Sequence, residues 1–303
     1  MALPNFLIAG MAKCGTSSLA QYLQQHYDVF ISRQKEPRYL SSQCMTFPIN
    51  GPKGDKLEDW YVKDFDAYKA MFSDAKEKAV GEASADTLYF HQCTIPVIKE
   101  KLGDPKIIII LRNPAKRAFS AYQHLVRDER EEGTFQEALD KEDYYVENNF
   151  ELIHHYRAVS HYYEPVKAFL ASFSDVLVLL NDDLQKRPEE VLKKVCEFLE
   201  VASDFEFETE LKFNESGIPK NRALHDNLQQ HNSLLRKLIR PIARVLLPTE
   251  EKRRKMVTWL SGRNLSKMEF TAEEYKALQT EFIPEIDRLE KLINQDLSMW
   301  RVK

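Results

Sequence analysis

Apolar residues in this chain of 303 arrive in two rhythms. Short unbroken runs (Phe6–Ala9, Val29–Ser32, Lys106–Leu111 and Val176–Leu180) read as extended segments, and the four consecutive isoleucines of the third mark it as a buried strand. Between them, apolar residues recur at three- and four-residue spacing. Ser18–His26 reads as an amphipathic helix through Leu19, Tyr22 and Leu23, and Phe65–Phe72 and Ile95–Leu102 read as two more. Pro114–Asp128 opens a helix with proline in its first turn, and Tyr162–Phe173 and Pro188–Leu199 flank the last strand as helices. The segment Gln43–Trp60 carries Pro48, Gly51, Pro52 and Gly54 and reads as a long loop. From Asn227 onward the pattern is helical and charged, ending in Glu273–Gln295.

Strand–helix alternation with continuous Ile/Val runs predicts an α/β fold, a P-loop-like central parallel sheet flanked by helices, with a helical C-terminal part. No Gly/Ser or Pro-rich linker interrupts it, so 1–303 is expected to be a single domain, with a core over about 4–225 and the helical part over about 226–303. Apolar residues are 43% of the chain and aromatics 11%, enough for a sizeable core. A net charge of −4 points to no nucleic acid partner and no anionic membrane surface, so any anion site has to be built locally. No stretch approaches the roughly 20 apolar residues of a membrane span, and the N-terminus enters its first strand with no basic-then-apolar leader. Cys14, Cys44, Cys93 and Cys196 are scattered, with no CxxC pair and no histidine cluster at metal-ligand spacing. The expectation is a reduced, cytoplasmic protein without metal; nothing in the sequence sets its oligomeric state.

Two constellations carry chemistry. The first, Gly10-Met11-Ala12-Lys13-Cys14-Gly15-Thr16-Ser17-Ser18-Leu19, lies between the first strand and the first helix. Glycines let the main chain curl so that its N–H groups converge, the helix N-terminus adds partial positive charge, and Lys13 adds a full one. A mononucleotide loop would read GxxxxGK[ST]; here the glycine spacing holds, but Thr16 stands where lysine belongs and the lysine is inside the loop. That displacement argues against a kinase or GTPase. A plain strand–helix turn capped at Thr16 accounts for the glycines and hydroxyls but leaves Lys13 unexplained. Cys14 is either a small filler or a thiol activated by the helix N-terminus.

The second runs from Arg112 to His124 after the isoleucine strand. Arg112 stands at the C-terminal end of that strand, where open α/β sheets hold their ligands. Ser120 and His124 are four apart on one helix face, and Arg117, three before Ser120, is either their neighbour or a surface salt bridge.

Together these blocks resemble the PAPS-dependent sulfotransferases (PAPS is 3′-phosphoadenosine-5′-phosphosulfate), most closely the heparan sulfate sulfotransferase branch and its bacterial relatives. Lys13-Cys14-Gly15-Thr16-Ser17 matches that family's KxGTT/S loop, and Arg112–His124 matches RNPxxRxxSxYxH without a gap. The resemblance implies that Lys13, Cys14, Gly15, Thr16, Ser17 and Ser18 bind the 5′-phosphosulfate and that Arg112 and Ser120 hold the 3′-phosphate. Lys35-Glu36-Pro37-Arg38-Tyr39-Leu40 looks like the family's KE segment, which makes Glu36 the general base; Arg38 stands where the family often has histidine. Gly81-Glu82-Ala83-Ser84 resembles a GE-x-S stretch and makes Glu82 a second candidate base. Asn214–Arg222 looks like a late loop from which Lys220 and Arg222 would reach the phosphates. Asn181-Asp182-Asp183-Leu184 reads as structural.

The implied activity is sulfuryl transfer from PAPS to a hydroxyl or amine by in-line displacement, leaving PAP (adenosine 3′,5′-bisphosphate) as product. Glu36 would take the proton, Lys13 would meet charge on the leaving oxygen, and His124 would contact the sulfuryl group. A P-loop kinase would need lysine at position 16 and an acid where Arg112 stands; a non-catalytic PAP/PAPS-binding protein has no use for Glu36 and His124. A glycan, lipid, polyketide or small alcohol all remain open as acceptor. The region 125–160, with Tyr144, Tyr145, Tyr156, His154 and His155, either shapes the acceptor cleft or is packing, and the basic run Lys252–Lys255 is either a solvated helix face or a lure for an anionic acceptor.

Overall fold

The isoleucine run and the first apolar run of the chain are neighbours in space, and their ends build the site. The computed structural model describes residues 2–209 and 268–301, together with the backbone of 218–219 and 265–266. In chain order the first half comprises β1 (Phe6–Ile8), α1 (Thr16–Leu23), β2 (Val29–Ile31), α2 (Tyr39–Ser42), α3 (Gly54–Glu58), α4 (Phe65–Ala70), β3 (Ala79–Glu82) and α5 (His91–Leu102). There follow β4 (Lys106–Leu111), α6 (Pro114–Arg127), α7 (Phe135–Asp140), α8 (Glu142–Glu147), α9 (Tyr163–Ser172), β5 (Val176–Leu180), α10 (Asn181–Lys186) and α11 (Pro188–Leu199). A short antiparallel pair, β6 (Ile218–Pro219) with β7 (Leu265–Ser266), precedes α12 (Ala272–Ile293).

The main sheet has the order β2-β3-β1-β4-β5 and is parallel throughout. Side chains alternate across it, as a two-residue period requires. Phe6 and Ile8 of β1, with Ile108 and Ile110 of β4, face one core, which Leu19 and Leu23 of α1 and Leu192 and Val195 of α11 complete. Leu7, Ile107 and Ile109 face the other, covered by α5, α6, α9 and α12. Each of Ile107–Ile110 is 0% exposed, a burial contributing about 1.5–3 kcal/mol per side chain. Gly81 of β3 is where the sheet is tightest, because a Cβ there would sit 2.3 Å from the Phe6 ring paired beside it.

Caps explain where helices begin. Asn113 caps α6 by accepting from Lys116 N at 3.0 Å, and Pro114 follows at the first helical position. Thr271 and Glu274 form a capping box at the start of α12. The indole N–H of the fully buried Trp300 donates to Asp182 Oδ2 at 3.0 Å, while its carbonyl accepts from Asn113 Nδ2 at 3.2 Å. The end of the described chain thus pins the segments that leave β4 and β5, and the structural reading of Asn181–Leu184 agrees with this.

Three expectations change. The stretch Ala79–Glu82 is a strand that the apolar rhythm did not announce, because only Ala79 and Val80 in it are apolar. The loop 43–60 contains α3, and α5 starts at His91 because its first turn, His91–Thr94, is mostly polar and falls outside the apolar period. Lastly, the cysteines are not all reduced: Cys44 and Cys93 form a disulfide, with Cα atoms 5.8 Å apart and a sequence separation of 49. Folding α5 onto the segment after α2 brings them together, which spacing along the chain could not reveal. Such bonds persist in oxidising surroundings rather than the reducing cytoplasm that cysteine spacing had implied. Cys14 and Cys196 are free and buried. Among the described residues no helix is long and apolar enough to cross a membrane.

The pairing is checked by counting thiols in unreduced, denatured protein. Two of the four cysteines should react, and a count of four would disprove the bond. Cys44→Ser should lower the unfolding free energy by about 2–4 kcal/mol, measured by denaturant titration.

Candidate active site

The loop after β1 curls at two glycines for different reasons. At Gly10 the chain folds back on the helix it enters, and a Cβ would lie 2.2 Å from Thr16 Cγ2. Gly15 has φ 107°, in the left-handed region, and a Cβ there would lie 2.4 Å from Asn181 Nδ2. Gly15 is also the N-cap of α1 and makes no side-chain cap, so the helix opens with its N-terminal N–H groups, those of Thr16 and Ser17 first, turned toward an outside acceptor. The Cys14 side chain turns into the core, its Sγ 3.7 Å from Tyr162 OH, and burial pushes the thiol up. It fills space and is not an activated nucleophile.

Cations gather over this loop. Arg112, leaving β4, donates from Nη1 to Lys13 O at 3.1 Å. Lys13, itself at φ 74°, is pushed down to about 7, by burial first and then by Arg127, Arg112 and Lys35. Among the described residues, neither Lys13 nor Arg112 has a carboxylate within salt-bridge distance. Arg117 corrects the surface salt-bridge reading. It is 0% exposed and donates to Ser160 Oγ at 2.6 Å, to Tyr156 O at 2.6 Å and to Ala12 O at 3.5 Å. Its charge is therefore spent on carbonyls that brace the loop from behind. Ser120 is buried one turn along the same helix. His124 accepts at Nδ1 from Arg127, and its Nε2 lies 3.3 Å from Asp128 Oδ2. Burial, followed by Lys13, Arg127, Arg130 and Lys35, holds its pKa well below the usual value, so the ring is neutral.

Carboxylates gather on the other side of β1, where β2 and β3 end. Glu36 lies beyond β2, its Oε2 2.8 Å from Arg38 Nη2 and its Oε1 3.8 Å from Lys35 Nζ. Glu82 ends β3 at 1% exposure and accepts from Ser84 Oγ at 2.7 Å. Burial pushes it up to about 8, with Asp86 and Glu36 adding to the shift and the Ser84 hydrogen bond opposing it. A carboxyl that stays protonated at neutral pH and faces no solvent is a poor proton acceptor. Asp86 is likewise buried and raised to about 6, held down in part by Arg38.

Lys13 lies close to Arg112 and His124, which makes one wall, and Glu36 lies close to Lys35 and Glu82, which makes a second. Lys35 joins the walls, since its charge acts on both Lys13 and His124. Lys220, Arg222 and the run Lys252–Lys255 lie outside the described residues. Tyr145 and Tyr156 are packing, because both are buried with their hydroxyls on Glu131 at 3.0 and 2.8 Å. His154 is buried against backbone carbonyls. Sequence reasoning missed Tyr61, Asp86 and Glu151, which surround Arg38, and Arg130, which pairs with Glu151; their only signal was that departure from the family's pattern at position 38. Among the described residues no three or more His, Cys, Asp or Glu side chains are placed to hold a metal.

A family model for the sulfotransferase domain matches residues 3–216. The solved structure of a sulfotransferase from Alicyclobacillus acidocaldarius is 33% identical, covers 100% of both chains and superposes with a TM-score of 0.75. Among curated relatives, the membrane-associated sulfotransferase kil1 of Dictyostelium discoideum is 31% identical over 42% of this chain. The bifunctional heparan sulfate N-deacetylase/N-sulfotransferase 1 of Caenorhabditis elegans is 28% identical over 71% of it. The match spans only 24% of the length of each of those two proteins.

Glu82 makes stability depend on pH in a defined direction. Its folded pKa is raised from the ordinary 4.5 to about 8, so its contribution is fully present below 4.5 and is lost as pH rises through about 8. Asp86 adds in the same direction at lower pH. Replacing Glu82 by Gln should flatten the fall in unfolding free energy between pH 5 and pH 8 (roughly those two limits). Unfolding curves of both proteins that stay parallel across that range would refute a buried, protonated Glu82.

Proposed function

The chain belongs to the sulfotransferase domain family, and from that premise we propose that it moves a sulfuryl group from PAPS to a hydroxyl or amine of a carbohydrate. The observation that carries the reading is the pair of cations, Lys13 and Arg112, held without carboxylate partners beside an uncapped helix N-terminus. Burying charge without a partner is costly, and a ligand with anionic groups at two positions removes that cost. A carbohydrate acceptor is supported by the heparan sulfate N-sulfotransferases among the relatives.

The residues fit a nucleotide phosphorylated at both ends. The N–H groups of Thr16, Ser17 and Ser18 with Lys13 would hold the phosphosulfate, and Arg112 with Ser120 the 3′-phosphate. PAPS, as co-substrate, supplies the sulfuryl group and the leaving 3′,5′-ADP. Glu36 takes the proton of the attacking O–H or N–H as the new bond to sulfur forms and the sulfur–oxygen bond to the leaving phosphate breaks. Lys13 meets the negative charge that grows on that oxygen, and the Nε2–H of neutral His124, 3.3 Å from Asp128 Oδ2 in the unliganded protein, would exchange that contact for one to the sulfuryl oxygens. Catalysis of this kind is positioning and charge stabilisation, as in phosphoryl transfer.

Two measurements test the reading. In titration calorimetry PAP should bind far more tightly than ADP. Because Lys13 sits near 7 when unliganded, binding should take up protons and weaken as pH rises above that value. Arg112→Ala should cost PAP on the order of 10²-fold in affinity, the scale of a lost charged hydrogen bond, and an unchanged dissociation constant removes the 3′-phosphate assignment. With radiolabelled PAPS and desulfated heparan sulfate as acceptor probe, Glu36→Gln should lower kcat by roughly 10²–10⁴ while keeping PAP affinity. Near-normal turnover in that variant moves the base elsewhere.

A further inference from the structure

Glu36 and Arg38 both lie in the left-handed region, at φ 51° and 56°, with Pro37 between them. That conformation costs a non-glycine residue roughly 1–2 kcal/mol, and two such residues so close persist only where their surroundings over-determine them. The surroundings are specific. Arg38 N donates to Ser84 Oγ at 3.0 Å, and Pro37 O accepts from Val62 N at 2.9 Å. Arg38 O accepts from Ser42 N at 2.9 Å and from Ser41 Oγ at 3.1 Å.

The turn brings two side chains, two residues apart, onto the same side. Arg38 Nε and Nη2 both donate to one oxygen of Glu36, Oε2, at 3.3 and 2.8 Å. The other oxygen, Oε1, has only Lys35 Nζ near it among the described residues, at 3.8 Å. The guanidinium is aimed from behind: Nη1 donates to Tyr61 OH at 2.8 Å and to Glu151 Oε1 at 3.1 Å, and Nε lies 3.8 Å from Asp86 Oδ2. Glu151 is fixed in turn by Arg130 Nη2 at 2.6 Å. Arg38 therefore has little freedom to follow Glu36; the carboxylate must follow the guanidinium.

We propose that Arg38 is a positioning residue for sulfuryl transfer, gripping Oε2 of Glu36 so that Oε1 is the oxygen presented to the acceptor's proton. The inference rests on Glu36 being the base. It gives position 38 a task that a histidine, which cannot turn two N–H groups toward one oxygen, could not perform in the same way. Two donors converging on Oε2 hold that oxygen in place and leave Oε1 turned away from the guanidinium. A carboxylate free to swing through an ångström would lose the alignment that makes an intramolecular proton transfer fast.

Arg38 also neutralises buried Asp86 and Glu151, so the test separates charge from geometry. Arg38→Lys keeps the charge and loses the double grip. With radiolabelled PAPS and desulfated heparan sulfate as probe, this variant should bind PAP within about twofold of wild type and keep its acceptor KM, while kcat falls about 10²-fold. In Arg38→Ala, added methylguanidinium should restore part of the lost kcat. A kcat for Arg38→Lys within about threefold of wild type, with Glu36→Gln inactive, overturns the inference and spares the base assignment. A loss in Arg38→Ala that methylguanidinium leaves untouched, with PAP binding intact, overturns it too, because Arg38 is then only structural. An active Glu36→Gln brings down the base assignment, and this inference falls with it.

Discussion

A parallel sheet delivers the carboxyl end of every strand to the same edge, and the loops leaving β1, β2, β3, β4 and β5 have no other place to meet. Lys13, Glu36, Glu82, Arg112 and Asn181 are all within a few residues of such an end. Order within the sheet then decides which of them face each other. The sheet reverses its direction of winding at β1, with β3 and β2 to one side and β4 and β5 to the other. A crevice at such a reversal is where α/β folds hold ligands.

The two sides have been given opposite electrostatics. On the β4 side, cations outnumber their protein partners, and the excess is answered by no carboxylate among the described residues. On the β2 and β3 side, carboxylates crowd so closely that burial keeps Glu82 protonated and Arg38 is shared among three of them. The proposed transfer would use this division, with one wall to receive a departing anion and the other to remove a proton from what arrives. Arg117 shows how firmly the first wall is built, since it puts a whole guanidinium behind the loop, where no solvent reaches.

Much of this was legible in the sequence, and what was not has physical causes. Lys106–Leu111, Val176–Leu180 and Pro188–Leu199 occur with the bounds the apolar rhythm marks, because continuous Ile/Val runs and a proline at a helix start leave few alternatives. The loop at Lys13 and the Arg112–His124 block stood out because each packs its chemistry into consecutive residues. The strand Ala79–Glu82 did not, since its glycine and glutamate answer to the Phe6 ring and to Ser84 rather than to any local period. Arg117 looked like surface because a charged residue usually is. Its burial is set by the carbonyls of residues 12 and 156, which no local pattern encodes. The Cys44–Cys93 bond and the ring of groups around Arg38 were hidden for the same reason. They join residues up to 113 positions apart.

The contacts of Trp300 reach further along the chain than any of these. Its carbonyl holds Asn113, the residue after Arg112, across 187 positions of sequence, and its indole holds Asp182 across 118. During synthesis β1, β4 and β5 all emerge well before residue 300. The two strand ends beside Lys13 and Arg112 nevertheless lack these two contacts until residue 300 has emerged. A nascent chain would therefore own its sheet well before those strand ends were fully braced.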